Sequence, residues 1–205
     1  MTAAPLLVLQ GVRKVYRRGL LDRTPSFQLD VDHTFETPQI VGVMGPNGAG
    51  KTTLFEMIAG SNVPSAGRVM VAGQDMQRVR YRQRDRLAIH YHQSYQVRRF
   101  ARTWPAFLMQ SAISAYPRVH LFDEPQFNTQ DGYIGFMLDF FRRLRSEGRL
   151  VFVCLHPTAP FQLEILREIC ERFLFVAGGR VEPFANAADL VADTGVRQYL
   201  GALAP

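Results

Sequence analysis

The sequence has few lysines, few cysteines and no long apolar run. Lys14 and Lys51 are the only lysines among 24 basic residues, so a lysine within a motif stands out against arginine. No window approaches the roughly 18 to 20 apolar residues of a membrane-spanning helix, and no N-terminal pattern predicts a signal peptide. Cys154 and Cys170 lie in apolar stretches without metal-ligand spacing, and we expect two buried thiols in a reducing compartment.

The composition that remains is that of a globular chain. Of 205 residues, 47% are hydrophobic and 20% are charged, which excludes disordered, collagen-like and coiled-coil classes. No repeat or linker divides the chain, so we expect one domain over residues 1–205. These features predict a cytosolic protein, or one attached to a component of a membrane.

Apolar patterns predict strands that alternate with helices. The predicted strands lie near residues 6–9, 27–31, 40–44, 68–72, 87–91, 119–122, 150–155 and 173–176. The predicted helices lie near residues 51–59, 105–115, 133–147 and 161–171. This alternation is typical of an α/β domain with a mainly parallel sheet covered on both faces, to which the early strands add a smaller antiparallel part.

A glycine-rich loop follows the continuous apolar run Ile40–Met44. Residues 45–53 read Gly-Pro-Asn-Gly-Ala-Gly-Lys-Thr-Thr and fit the pattern G-x-x-x-x-G-K-[ST] without a mismatch. The glycines let successive N–H groups face one small volume, where Lys51 adds an ammonium group and Thr52 a hydroxyl for Mg²⁺. A glycine-rich turn that merely contains a lysine is the alternative, but the flanking strand and helix favour a nucleoside triphosphate site. The candidate residues are Gly45, Asn47, Gly48, Ala49, Gly50, Lys51, Thr52 and Thr53.

A second motif ends the strand predicted at residues 119–122. The segment 120–125 reads His-Leu-Phe-Asp-Glu-Pro. Such a strand ending brings Asp123 to the same sheet edge as the glycine-rich loop, where its carboxylate can hold the water shell of a metal. Glu124 is then placed to orient or deprotonate an attacking water, and it is the candidate catalytic base. An ordinary strand-to-loop ending is the alternative.

Together the two motifs resemble the nucleotide-binding domain of the ATP-binding cassette (ABC) superfamily. The resemblance implies a P-loop NTPase core with a small antiparallel β subdomain, and ATP and Mg²⁺ as cofactors. It places Gln93, together with Thr52 and Asp123, at the metal. It places His156 where a catalytic histidine contacts the γ-phosphate, and Tyr16 where an aromatic ring stacks on adenine. Each assignment has an alternative without a functional role. Gln93 would be a solvent-exposed residue at the end of a strand, and Tyr16 would be an aromatic residue on the surface. His156 would be a histidine whose hydrogen bonds are satisfied beside a proline turn.

The resemblance is incomplete between Gln93 and Asp123. In the family a helical subdomain lies there and ends in Leu-Ser-Gly-Gly-Gln, whose N–H groups face the ATP of a second domain. This signature does not occur in the sequence, and the family's register places residues 99–103, Arg-Phe-Ala-Arg-Thr, at its position. We expect residues 94–118 to be a shortened remnant of the helical subdomain, so that a homodimer would lack the signature at both sites.

The resemblance implies an ATP-binding, ATP-hydrolysing subunit of an ABC-type membrane transport or assembly complex. Its partners would be a second ABC-type chain, in a homodimer or heterodimer, and an integral membrane subunit at the cytoplasmic face. Without its signature, the isolated chain should hydrolyse ATP slowly. Two alternatives stay open: a nucleotide-sensing assembly protein with little turnover, and a soluble ABC ATPase that does not serve transport.

The most basic segment runs from Arg78 to Arg102 and contains eight arginines with one acid, Asp85. It predicts docking on an acidic partner or on anionic lipid headgroups, with a solvated arginine-rich face as the alternative. No motif for reading nucleic acid accompanies the charge. His90 and His92 share one face of a predicted strand, but no further ligands for a metal accompany them.

Overall fold

The computed structural model describes residues 4–19, 24–92, 117–125 and 133–204. Within these ranges the strands are β1 (Leu7–Arg17), β2 (Pro25–Phe35), β3 (Ile40–Met44), β4 (Ala66–Val71), β5 (Gln74–Asp75), β6 (Ala88–His92), β7 (Val119–Asp123), β8 (Leu150–Cys154), β9 (Arg172–Ala177) and β10 (Arg180–Phe184). The helices are α1 (Lys51–Ala59), α2 (Tyr81–Arg84), α3 (Tyr133–Ser146), α4 (Pro160–Ile169), α5 (Ala187–Ala192) and α6 (Thr194–Leu200), followed by a 3₁₀ turn at Gly201–Leu203.

The strands form one sheet in the order β5-β4-β1-β2-β10-β9-β3-β8-β7-β6. The five strands β9, β3, β8, β7 and β6 run parallel to one another. β1 pairs antiparallel with β2 and β4, and β4 pairs antiparallel with β5. β10 joins the two parts, because it pairs antiparallel with β9 and parallel with β2.

The parallel part is buried on both faces. β3, β7 and β8 are buried along their whole length. This burial explains why β3 and β8 read as continuous apolar runs, whereas β7 also buries His120 and Asp123. Val41 and Val43 of β3 pack in one cluster with α1, whereas Ile40 and Met44 pack in a second cluster with α3 and α4. The expected α/β architecture with a doubly covered parallel sheet is therefore confirmed.

Most predicted elements are confirmed within the described ranges, but two predictions need comment. The predicted helix at 105–115 lies outside the described residues. The helix predicted over 161–171 ends at Ile169, because the backbone of Cys170 is extended and Glu171 donates its N–H to the Ile40 carbonyl, 2.9 Å away.

The segment after β9 contains elements that the apolar pattern did not predict. These are β10, α5 and α6, and the two helices have only six and seven residues. Each helix begins at a side-chain cap: Asn186 accepts from the N–H of Asp189, and Asp193 accepts from the N–H of Val196. No helix in the described part of the chain combines the length and the apolar character needed to cross a membrane.

Candidate functional site

The glycine-rich loop leaves β3 and turns sharply before α1. Gly45, Gly48 and Gly50 have φ values of 148°, 76° and 106°, a region that side chains disfavour. At Gly50 a Cβ atom would lie 2.6 Å from Cζ of Phe27, so only glycine lets this aromatic ring pack on the loop. Because Gly50 has no side chain to cap α1, the first N–H groups of the helix are left for water or an anion.

Lys51 is the first residue of α1, and its side chain lies inside the loop. The residue is 7% exposed, and its Nζ donates to the carbonyl oxygens of Gly45 at 2.6 Å and Pro46 at 2.9 Å. Of the described residues that line the adjoining cleft, Lys51 alone is basic. The sequence therefore places a buried positive charge where the predicted phosphates would bind.

Asp123, the last residue of β7, meets the loop across the sheet edge. The residue is 4% exposed, and its Oδ2 accepts a hydrogen bond of 2.8 Å from the hydroxyl of Thr52. Nε2 of His90 lies 3.2 Å from the same carboxylate oxygen. Thr52 and Asp123 are the two predicted metal-binding residues that the structure describes. They are in direct contact, so their oxygen atoms are adjacent and could both act as metal ligands.

A thiol lies behind the Asp123 carboxylate. Cys154 of β8 is paired in register with Asp123 and is fully buried. Burial, together with the Asp123 charge, raises the pKa of the Cys154 thiol well above its usual range. Cys154 therefore stays protonated, and its neutral thiol adds no second negative charge beside Asp123. Both cysteines are free and buried, as expected.

Glu124 has an unusual backbone conformation directly after β7. Its φ is 51°, in the left-handed region that glutamate rarely adopts, and its N–H donates to the Cys154 carbonyl at 3.0 Å. Such a conformation costs about 1 to 3 kcal/mol and is concentrated at functional sites. The side chain lines the same cleft as Lys51 and Thr52. The strained backbone at Glu124 supports a chemical role for its side chain.

The cleft has a volume of about 320 Å³, within the usual range for a small-molecule site. Its lining residues are Tyr16, Phe27, Asn47, Gly48, Gly50, Lys51, Thr52, Thr53, Asp123 and Glu124. One end is polar and carries the loop and the carboxylates, whereas the other is an aromatic wall. In that wall Tyr16 of β1 and Phe27 of β2 are cross-strand partners with ring centroids 5.7 Å apart.

Two predicted site residues are not in this cleft as described. His156 follows β8, and its Nδ1 lies 2.8 Å from the hydroxyl oxygen of Tyr199 on α6. It is not among the described residues that line the cleft. Gln93 lies outside the described residues, so the structure does not place the third predicted metal residue.

Three residues of the site region were missed by sequence reasoning. Phe27 had a usable signal, since it alternates with polar neighbours in the strand that pairs with Tyr16. His90 was considered only as a metal ligand, although β6 pairs with β7 and so brings it near Asp123. Tyr199 had no signal, because it lies on a short helix 43 residues from its partner His156.

Comparison with known proteins matches a part of the chain that includes the glycine-rich loop. Residues 29–105 match the family model described as ABC transporter. The lipoprotein-releasing system ATP-binding protein LolD of Ruegeria sp. (strain TM1040) is 38% identical over 81 residues, which are 40% of this chain and 35% of that protein. The lipopolysaccharide export system ATP-binding protein LptB of Acidithiobacillus ferridurans is 36% identical over 86 residues, 42% of this chain and 33% of that protein. These matches span about a third of each relative.

Two solved structures share the fold. A bacterial Atm1-family ABC exporter with ATP bound has a TM-score of 0.72 and 16% identity, covering 100% of this chain and 43% of the exporter chain. The ATP-binding cassette MJ0796, in a dimeric post-hydrolysis state with ADP and Pi, has a TM-score of 0.63 and 15% identity, covering 87% of this chain and 98% of the cassette. At these identities the likeness shows the fold, which is that of an ABC ATPase domain.

Proposed function

Because this chain carries an ABC-type nucleotide-binding domain, we propose that it binds MgATP and hydrolyses it as a subunit of a membrane transport or assembly complex. One observation carries the proposal. Lys51, Thr52 and Asp123 converge on one cleft, and the Thr52 hydroxyl lies 2.8 Å from the Asp123 carboxylate. A buried cation beside paired oxygen donors is what a metal-bound triphosphate requires.

The described residues suit Mg²⁺, which prefers oxygen ligands. Thr52 and Asp123 supply a hydroxyl and a carboxylate, and we propose Gln93 as a further contact on the strength of the family pattern. When bound, the metal neutralises charge on the phosphate oxygens. The backbone N–H groups of residues 45–53 and the Lys51 ammonium would hold the phosphates, and the Tyr16 ring would stack on the adenine.

Hydrolysis needs a base for the attacking water and donors around the γ-phosphate. Glu124 lines the cleft beside Asp123 and is the proposed base. His156 lies two residues after the end of β8, and we propose that it contacts the γ-phosphate. The signature that would supply donors from a second chain does not occur in the sequence. Losing one such donor lowers rates about 10² to 10³-fold, so the isolated chain should turn over slowly.

Steady-state ATPase measurements test this proposal. The isolated chain should bind MgATP but hydrolyse it slowly, and an added ABC-type chain that carries the signature should raise the rate. A rate that stays near zero with every partner would favour the nucleotide-sensing alternative, which shares the binding site but needs no turnover. Fast hydrolysis by the isolated chain would indicate that a residue within 94–105 replaces the signature. Arg98, Arg99 and Arg102 would be the first candidates for a positive charge at the γ-phosphate.

The membrane partner is proposed from the kinds of protein that the chain resembles. The relatives are named as parts of lipoprotein-releasing and lipopolysaccharide export systems, and one structural neighbour is dimeric. A cytoplasmic position, peripheral to a membrane through an integral subunit, follows from that proposal. Co-purification with a membrane subunit would support it, whereas a chain that stays alone in membrane extracts would favour a soluble ABC ATPase.

A basic face is the proposed docking surface. In the described part of the segment, Arg78, Arg80, Arg82 and Arg86 are exposed. Arg84 is different, because its guanidinium donates to the carbonyls of Gly60 and Val79 and so closes the end of α1. Exposed charges of one sign favour an acidic partner or anionic headgroups, and such docking weakens as salt rises. Co-purification at increasing salt therefore checks the surface.

A further inference from the structure

Helix α6 places one hydroxyl group beside His156. The hydroxyl oxygen of Tyr199 lies 2.8 Å from Nδ1 of His156, and the ring centroids are 5.8 Å apart. The Tyr199 ring also packs against Phe175 of β9, with centroids 5.5 Å apart. Val196 and Leu200 bury the inner face of α6 in the core. The hydroxyl is therefore held in position by the fold.

The hydroxyl is also partly buried by its surroundings. This burial raises the pKa of Tyr199 to about 12. At neutral pH the tyrosine is therefore protonated, and it has one hydrogen to donate. Nδ1 of His156 lies within hydrogen-bonding distance, where it either accepts from the hydroxyl or donates to it, according to the tautomer of the ring.

The direction of this hydrogen bond determines which ring nitrogen of His156 carries the proton. A ring nitrogen that accepts a hydrogen bond carries no proton, so a neutral imidazole whose Nδ1 accepts has its proton on Nε2. An Nε2–H group can donate to an anionic oxygen, whereas an unprotonated Nε2 would be repelled by it. We propose that the Tyr199 hydroxyl donates to Nδ1, so that Tyr199 is a positioning residue that fixes His156 in the Nε2–H tautomer.

The proposal rests on the proposed function in one respect, the role of His156 at the γ-phosphate. The tautomer itself can be tested without nucleotide. We would measure the ¹⁵N chemical shifts of His156 in the nucleotide-free chain, with the signal assigned by its loss in His156→Gln. The expected result is a protonated Nε2 and an unprotonated Nδ1 at neutral pH. A proton on Nδ1, or a fast mixture of both tautomers, would overturn the proposal.

The variant Tyr199→Phe removes the hydroxyl but keeps the ring that packs on Phe175. His156 should then exchange between tautomers, and the single-turnover rate of ATP hydrolysis should fall about tenfold, the effect of losing one orienting hydrogen bond. The Kd for MgATP should change by less than about threefold. Gln198→Ala, at an exposed neighbour on the same helix, is the matched control and should change neither quantity.

A double variant separates an effect through His156 from a general effect on the fold. In the His156→Gln background, Tyr199→Phe should lower the rate no further, because the group that it positions is gone. An additional loss of similar size would overturn the proposal, as would an unchanged tautomer in Tyr199→Phe. If the chain does not bind MgATP at all, the proposed function fails, while the ¹⁵N shifts still decide the tautomer.

Discussion

The two ends of the cleft are built from different parts of the sheet. The polar end comes from β3, α1 and β7 of the parallel part, where Lys51 and Asp123 are 7% and 4% exposed. The aromatic end comes from β1 and β2 of the antiparallel part, where Tyr16 is 39% exposed. Charged groups are therefore held in the buried core, whereas the aromatic wall lies at the surface.

This difference has an energetic consequence. A buried charge interacts strongly because little water screens it, and each of its partners is fixed by the surrounding backbone. An exposed ring contributes through stacking, which is worth about 1 to 3 kcal/mol for each base. We therefore expect the polar end to supply most of the affinity and all of the chemistry, and the aromatic end to contribute a smaller, base-dependent part.

The largest effect is expected at Lys51. Lys51→Ala removes the one basic side chain that lines the described cleft, so the Kd for MgATP should rise by about 10² to 10³-fold. Isothermal calorimetry measures this change. Lys14→Ala is the matched control, because Lys14 binds the Val63 carbonyl and is not among the described residues that line the cleft, and we expect less than about a threefold effect. Unchanged affinity in Lys51→Ala would contradict the assignment of the loop.

Glu124 should affect rate but not binding. Glu124→Gln keeps the size of the side chain and removes the base, so single-turnover hydrolysis should slow by about 10²-fold or more. The Kd for MgATP should stay within about threefold of the wild-type value. Glu182→Gln, at an exposed position on β10, controls for the substitution itself. If Glu124→Gln hydrolyses ATP at the wild-type rate, another group positions the water.

The polar end was largely predictable from the sequence, for a physical reason. β3 and α1 were predicted with the bounds Ile40–Met44 and Lys51–Ala59 that they have in the structure. β3 packs against an apolar cluster on each face, which favours apolar residues along its whole length. A loop that surrounds phosphate needs glycines and a cation at fixed spacing. Both requirements are local in the sequence.

Contacts made by the ends of distant elements were not predictable in this way. The pairing of His90 with Asp123 depends on β6 lying beside β7, and the contact of His156 with Tyr199 depends on a seven-residue helix. Neither contact leaves a periodic pattern, because each involves single residues rather than a repeated face. The capping residues Asn186 and Asp193 were the available signals for α5 and α6.

His90 should have an intermediate effect, on the metal. His90→Phe keeps a ring beside Phe55 but removes the nitrogen that lies 3.2 Å from the Asp123 carboxylate. Because groups that orient a metal-binding carboxylate affect metal affinity about 10 to 100-fold, we expect about a tenfold higher Mg²⁺ requirement for ATP binding. A Mg²⁺ titration at fixed ATP measures it. His33→Phe, on β2, is the control. An equal effect of His33→Phe on the Mg²⁺ requirement would show that the effect of His90→Phe does not come from its contact with Asp123.

The smallest effect is expected at the aromatic end, and it separates the two ends most clearly. Tyr16→Ala should weaken MgATP binding about three- to tenfold through lost stacking, while binding of tripolyphosphate, which has no base, should not change. Tyr16→Phe keeps the ring and loses only the hydrogen bond of 2.6 Å from Asn62, so its affinity should match the wild type. Lys51→Ala, in contrast, should weaken the binding of both ligands, because both contain the phosphate groups that Lys51 contacts. Competition binding with the two ligands measures these affinities. If Tyr16→Ala weakened the binding of tripolyphosphate as much as the binding of ATP, the Tyr16 ring would act by stabilising the glycine-rich loop and not by stacking on the adenine. The distinction between the two ends of the cleft would then be wrong.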